Sequence, residues 1–264
     1  MRDVRPGWVY IIGAGPGDPE LLTVRAARIL ERADVVIYAD SLIDQQVLEY
    51  CRADARILTS SNRDLRELVA IMTDSARGGL TVARLQSGDP SLYGAISEQM
   101  QELQANGVPF EIVPGVSAVF AAAAVLQREL TVPGVSQTVI LTRVEGRASA
   151  VPPASSLQAL AQHRATIALF LSAALAGKVS RELAQAGYSS DAPAAIVYRA
   201  TWEDQQIVWS TVGHLAEDLR LAGIHRQALI LVGPFLTAGQ ASRSKLYDAS
   251  YSHLFRRSQG SPEP

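Results

Sequence analysis

From position 8 to about 114 the chain alternates short β-branched apolar runs with stretches in which apolar residues recur every three or four positions. That alternation is the pattern of a parallel sheet wrapped by helices. It predicts five strands, at 8–12, 35–38, 56–59, 80–85 and 110–113. Between the first two, Leu22, Ala26, Ile29, Leu30 and Ala33 lay an apolar stripe on one helix face. Similar stripes run over 64–76 and 96–105, each closing near a glycine able to end a helix. A helix of small residues at 117–126 leads to 129–134, where a proline and a glycine mark a crossing between halves. A second alternation follows, with strands at 138–142, 167–171, 195–198, 206–211 and 228–232 and helices at 156–163, 178–186 and 212–221. The strands on either side of 202–204 are too close for a helical crossover, so this sheet is expected to contain an antiparallel hairpin. The fold class is therefore α/β, in two domains over 1–128 and 129–255. A polar tail follows at 256–264, expected to be disordered from 258 onward.

Composition narrows the function classes. At 48% hydrophobic content, 264 residues can bury one large core or two modest ones. No run approaches the roughly 20 apolar residues that span a bilayer, and the N-terminus lacks the apolar core of a signal peptide. A cytoplasmic protein without a membrane partner is expected. Cys51 is the sole cysteine, and His163, His214, His225 and His253 show no ligand-like spacing, so neither an internal disulfide nor a metal centre is expected. A formal charge of −2 argues against a general nucleic-acid surface. Only Lys178 and Lys245 are lysines; the other 22 basic residues are arginines, whose planar fork grips carboxylates bidentately where lysine cannot.

The segment Val9-Tyr10-Ile11-Ile12-Gly13-Ala14-Gly15-Pro16-Gly17-Asp18-Pro19 runs a buried-type strand into a glycine-rich turn that two prolines interrupt. A dinucleotide fingerprint needs a helix N-terminus presenting free backbone N–H groups to a pyrophosphate. Pro16 removes one donor and fixes φ within the turn, and Pro19 stands where the next helix would begin. The turn therefore looks built to make room for a ligand or a second domain beside the strand end. Four further segments follow strands, where open α/β sheets place ligands. Gln86-Ser87-Gly88-Asp89-Pro90-Ser91-Leu92-Tyr93-Gly94 reads equally as an ordinary turn capped by Asp89. Val113-Pro114-Gly115-Val116-Ser117 opens a run of alanines that suits either a flat ligand or tight helix packing. Thr142-Arg143-Val144-Glu145-Gly146-Arg147 reads as a carboxylate-receiving pair of arginines or a solvated loop. Tyr198-Arg199-Ala200-Thr201-Trp202 combines aromatic faces with a guanidinium, a pairing that also occurs in cores.

Taken in order, G-A-G-P-G-D-P-E-L-L-T, R-L-Q-S-G-D-P-S-L-Y-G, V-P-G-V-S-A, V-S-Q-T-V-I-L-T-R-V-E-G-R, Y-R-A-T-W and A-L-I-L-V-G resemble the tetrapyrrole methylases of cobalamin and sirohaem synthesis, over about 8–255. R-V-E-G-R, R-A-T-W and Ser244-Lys245-Leu246-Tyr247-Asp248-Ala249 are most similar to the members that methylate carbon 11 of precorrin-4. The resemblance implies two α/β domains in a homodimer, with S-adenosyl-L-methionine folded into the cleft between the domains and a tetrapyrrole as small-molecule substrate. Position within the motifs carries over, as cofactor contacts, Pro16, Ser87, Gly88, Asp89, Leu92, Ser117, Ala118, Leu171, Ala200 and Ala228. The substrate carboxylates are assigned to Arg84, Arg143, Arg147 and Arg199.

The implied reaction is an in-line displacement in which an electron-rich ring carbon attacks the sulfonium methyl and S-adenosyl-L-homocysteine leaves. Positioning can supply on the order of 7–11 kcal/mol of such a barrier. A general base would only collect the displaced proton; Asp40, Tyr93 and Glu145 are its candidates. Some relatives carry an aspartate directly after the second-strand tyrosine, whereas here Ala39 follows Tyr38 and Asp40 comes one place later. The competing readings are the cobalt-loaded form of the same substrate, a sister methylase acting elsewhere on the ring or on uroporphyrinogen III, a nicotinamide-dependent oxidoreductase and a noncatalytic tetrapyrrole carrier.

Overall fold

The computed structural model describes residues 3–146, 150–237 and 254. They fall into two compact units, drawn from Met1–Val125 with Arg199–Gln206 and from Leu126–Tyr198 with Ile207–Pro264. The tail from 258 and the 244–249 segment lie outside the described residues.

In the first unit β1 (Val9–Gly13), β2 (Val35–Tyr38), β3 (Arg56–Thr59), β4 (Val82–Gln86) and β5 (Phe110–Val113) form one parallel sheet in the order β3-β2-β4-β1-β5. Alternate residues of each strand serve opposite faces. Tyr10, Ile12, Val36, Ala83 and Leu85 pack with Ala26, Ile29 and Leu30 of α1 (Val24–Leu30). Val9, Ile11, Val35, Ile37 and Val82 pack with Leu68 and Met72 of α2 (Leu65–Arg77) and Leu103 of α3 (Ile96–Ala105). Covering both faces is why β1 and β2 read as unbroken apolar runs, and each fully buried Ile or Leu contributes roughly 1.5–3 kcal/mol. The helix starts follow side-chain chemistry. Asp64 and Glu67 form a reciprocal capping box at α2, and the Thr23 hydroxyl accepts the Ala26 N–H at α1. Pro19 does not begin that helix: a short 3-10 turn, Pro19–Leu21, capped by Asp18, comes first. The unit's last helix is α4 (Ala118–Val125).

The second unit contains β6 (Val139–Thr142), β7 (Thr166–Leu169), β8 (Pro193–Tyr198), β9 (Gln206–Thr211) and β10 (Ala228–Val232), ordered β6-β7-β10-β8-β9. β6 and β7 are parallel, whereas β10 runs antiparallel to both β7 and β8. One layer comprises α5 (Leu157–Ala161), α6 (Ala176–Gln185) and α7 (Leu215–Leu221). Leu157, Val179, Leu183, Leu215 and Leu219 from these helices pack on Ile167, Leu169, Ile196 and Ile230. β9 stands beside β8 at the sheet edge, joined by only the 199–205 connection. The insertion of the last strand between β7 and β8 is an antiparallel element that the hydrophobic pattern does not reveal. The expected helix at 212–221 begins at Leu215 instead, after the turn through Gly213 and His214.

Candidate active site

Because the first sheet is parallel, the C-terminal ends of β1, β4 and β5 share one edge, and their loops meet there. Gly88 donates its N–H to the Gly15 carbonyl at 2.8 Å and accepts the Gly15 N–H at 3.3 Å, an isolated bridge between two loops. Gly15 and Gly88 both have left-handed backbone, with φ of +78° and +65° respectively. Three backbones then converge without room for a side chain. A Cβ on Gly13 would stand 2.5 Å from the Gly115 nitrogen, and one on Gly115 would stand 2.2 Å from the Gly88 oxygen. The edge is thus sterically bare main chain.

Asp89 ties the second loop to the third. One carboxylate oxygen accepts the Gly115 N–H at 2.9 Å, and the other accepts the N–H and hydroxyl of Ser91. Burial pushes this carboxyl up, but the bonds from Ser91 and Gly115 outweigh it and hold the group below the usual carboxylate range, so it is anionic at neutral pH. Ser117 is buried and its carbonyl accepts from Phe120 and Ala121 in the first turn of α4. Ala118 opens that helix, its nitrogen 3.7 Å from where a Gly88 Cβ would lie. Pro16, Gly88, Asp89, Ser117 and Ala118 are therefore gathered at one edge, with exposed Ser87 and half-buried Leu92 flanking them.

The segment Arg199–Gln206 joins the same unit because it fastens onto the first loop. The Trp202 indole donates to the Pro16 carbonyl at 2.8 Å, and Thr201 Oγ1 accepts the Asp18 N–H at 3.0 Å. Ala200 is buried, its carbonyl 3.0 Å from the position of a Gly17 Cβ. Arg199, assigned by motif to substrate, pairs with Asp204 and lies over the Trp202 ring.

Other assigned residues are more scattered. Arg84 is only 6% exposed, and its donors reach neutral oxygens: Gln99 Oε1, Ser60 Oγ and the Ile37 and Leu85 carbonyls. No described carboxylate pairs with it, and burial lowers its pKa to about 10. Asp40 is exposed in the turn after β2, and Tyr93, with φ +55°, is 45% exposed. In the second unit Glu145 accepts the Val151 N–H and faces Lys178, while Arg143 donates to the Val144 and Ala150 carbonyls. Leu171 is 70% exposed in left-handed backbone, and Ala228 begins β10. Arg147 lies outside the described residues. Gly13, Gly115, Thr201 and Gln205 were not singled out as site residues. Their signal, glycine at a strand end and Thr or Gln in a tight connection, is too common to select them.

Comparison with known proteins places these features in a family. Residues 8–216 match the family model described as Tetrapyrrole (Corrin/Porphyrin) Methylases. A cobalt-precorrin-4 C(11)-methyltransferase from Priestia megaterium is 50% identical over 252 residues, spanning 94% of this chain and 97% of the relative. A precorrin-4 C(11)-methyltransferase from Pseudomonas aeruginosa is 46% identical over 248 residues, spanning 94% and 98%. The crystal structure of a cobalt precorrin-4 methyltransferase, a cobalamin biosynthetic enzyme, superposes with a TM-score of 0.85 at 50% identity, covering 87% of this chain and 96% of that one. The uroporphyrin-III C-methyltransferase of Thermus thermophilus, solved with S-adenosyl homocysteine, gives a TM-score of 0.73 at 28% identity, covering 87% and 98%. The chain belongs to the tetrapyrrole methylases.

Proposed function

We propose that this enzyme methylates carbon 11 of precorrin-4, giving precorrin-5 in cobalamin biosynthesis, with S-adenosyl-L-methionine as methyl donor. The observation that carries the reading is the convergence of Gly13, Gly88 and Gly115 beside a turn whose proline lacks a donor. A phosphate would need a fan of N–H groups at a helix N-terminus. This edge instead offers carbonyls, bare backbone and the ionised Asp89, which suit a cation. Relatives named for C-11 methylation, at 46% and 50% identity over nearly the whole chain, support the regiochemistry.

Pro16, Ser87, Gly88, Asp89, Leu92, Ser117, Ala118 and Ala200 from the first unit, and Leu171 and Ala228 from the second, would hold the cofactor. It supplies a methyl already activated on a positive sulfur. The protein's part is then to orient the two reactants and exclude water. The glycine junction keeps the main chain close to the ligand, and the Asp89 bonds to Gly115 and Ser91 fix two loops relative to each other. Arg84, Arg143, Arg147 and Arg199 would meet the substrate carboxylates, and Asp40, Tyr93 or Glu145 would take the displaced proton. The active species is taken to be a cytoplasmic homodimer, which light scattering on the purified protein tests; no helix among the described residues is long and apolar enough to cross a membrane.

Incubating purified protein with precorrin-4 and methyl-labelled S-adenosylmethionine tests the reading. Label at carbon 11 is expected; label at another ring carbon overturns it. A parallel incubation with cobalt-loaded substrate shows which form turns over faster.

A further inference from the structure

We propose that Trp202 is a positioning residue for the methyl donor, setting the shape of the Gly15-Pro16-Gly17-Asp18 turn against which the donor is read to lie. The inference rests on the cofactor assignment above and names a residue outside it.

Trp202 reaches this turn across 186 positions of sequence, and its indole N–H donates to the Pro16 carbonyl at 2.8 Å. Pro16 has no N–H, so this bond engages the one hydrogen-bonding group its backbone has. The ring also occupies the space beside Gly17: a Cβ there would stand 2.3 Å from the indole Cδ1 and 2.7 Å from Nε1. Gly17 is thus required by the indole, since its own backbone does not have positive φ. One residue later the Asp18 N–H donates to Thr201 Oγ1, so the loop is gripped by neighbouring residues of the Arg199–Gln206 strap.

The strap is itself held under strain. Arg199 and Thr201 have φ of +43° and +70°, left-handed backbone that side chains other than glycine rarely adopt and that is least favourable for a β-branched residue such as Thr201. Several bonds offset the cost. Thr201 N–H donates to Gln205 Oε1 at 2.7 Å, Trp202 N–H donates to the Arg199 carbonyl at 3.0 Å, and Gln46 Nε2 reaches Glu203. The Arg199 guanidinium, paired with Asp204, lies 3.7 Å from the indole centroid. Stacking by Arg199 together with the Pro16 and Gly17 contacts leaves the indole little freedom. Strained backbone maintained by this many partners is characteristic of a functional segment.

Two variants test the inference. Trp202→Phe keeps an aromatic ring and removes the N–H donor; Gly17→Ala keeps the donor and adds the Cβ that collides with the ring. For Trp202→Phe we expect the S-adenosylhomocysteine Kd and the S-adenosylmethionine KM to rise about threefold to tenfold, the range for one lost hydrogen bond. Its kcat should stay within about twofold, because the reacting groups are untouched. Gly17→Ala should raise Kd at least tenfold, and Trp202→Leu in the same chain should recover part of that loss by making room. Calorimetry on the full chain, with far-UV dichroism, reads each outcome. If wild type binds S-adenosylhomocysteine and both single variants bind it as tightly, Trp202 is structural only and the inference falls. If wild type itself does not bind, the cofactor assignment falls and this inference with it.

Discussion

The carbonyl oxygen of Gly88 and the α-carbon of Gly115 approach so closely that a methyl group on Gly115 would stand 2.2 Å from that oxygen. Gly88 itself is different: a Cβ there would find its nearest neighbour at an ordinary 3.7 Å, although its φ of +65° disfavours any side chain. Two glycines in one junction are thus required for separate reasons. Gly115→Ala must push loops apart, at a cost of about 1–3 kcal/mol, whereas Gly88→Ala should cost roughly 1–2 kcal/mol through backbone strain alone. Gly115→Ala should also lose S-adenosylhomocysteine affinity more than tenfold. Urea unfolding and calorimetry check both; wild-type affinity in Gly115→Ala would show that the junction does not shape the ligand site.

Asp89 gives a pH signature. Its carboxyl is held below the ordinary value of 3.8 in the folded protein, so its bonds to Ser91 and Gly115 add stability above that value. The contribution disappears as pH falls through the lower folded value. The difference in melting temperature between wild type and Asp89→Asn should therefore be constant from pH 7 to about 5 and shrink below about 4. A difference that persists undiminished to pH 2 would mean the charge is irrelevant and only the geometry of the acceptor counts.

Arg84 carries a buried cation with no described carboxylate beside it, and no described hydrogen bond engages its Nη2. Arg84→Met keeps the unbranched stem as far as the Nε position and removes the desolvated charge together with its bonds to Gln99, Ser60 and the Ile37 and Leu85 carbonyls. We expect its melting temperature to lie within a few degrees of wild type. If the cation meets a substrate carboxylate, the tetrapyrrole KM should rise about tenfold or more, in line with about 1.5–3 kcal/mol for a charged hydrogen bond. S-adenosylhomocysteine affinity should be unaffected. An unchanged tetrapyrrole KM would assign Arg84 to the core alone.

Local elements were readable where punctuation is strong. β2, β3, β5, β9 and β10 and helix α3 have the expected ends, since apolar runs there stop at glycine, proline or polar clusters. Period two could also have warned that Arg84 shares a strand face with Val82, which packs against α2 and α3. Partnership between distant segments is a different matter. Periodicity states which side chains are buried, not which strand lies alongside, so the place of β10 between β7 and β8 was invisible. The site suffers the same limit. Gly13, Gly88 and Gly115 belong to separate loops, and Trp202 meets Pro16 across 186 residues, so only the motifs, and not their mutual contacts, stood in the chain.

Leu171 joins two features that a stable surface avoids: it is 70% exposed, and its φ of +52° is in the left-handed region. Its neighbour explains how this persists. Ser172 is fully buried, donating its hydroxyl to the Phe170 carbonyl at 2.7 Å and accepting the Val144 N–H at 3.1 Å, which pins the chain on the far side of the leucine. An apolar side chain forced outward at a strand end costs stability through both strain and exposure, and strain of this kind clusters at functional sites. Asparagine tolerates left-handed backbone better than leucine does. Leu171→Asn should therefore melt at the same temperature as wild type or higher, by up to a few degrees. Its S-adenosylhomocysteine Kd should rise about threefold to tenfold, because the exposed leucine would lose apolar contact with the ligand. A variant that is less stable yet binds normally would show that Leu171 packs within its own unit and would remove it from the cofactor set.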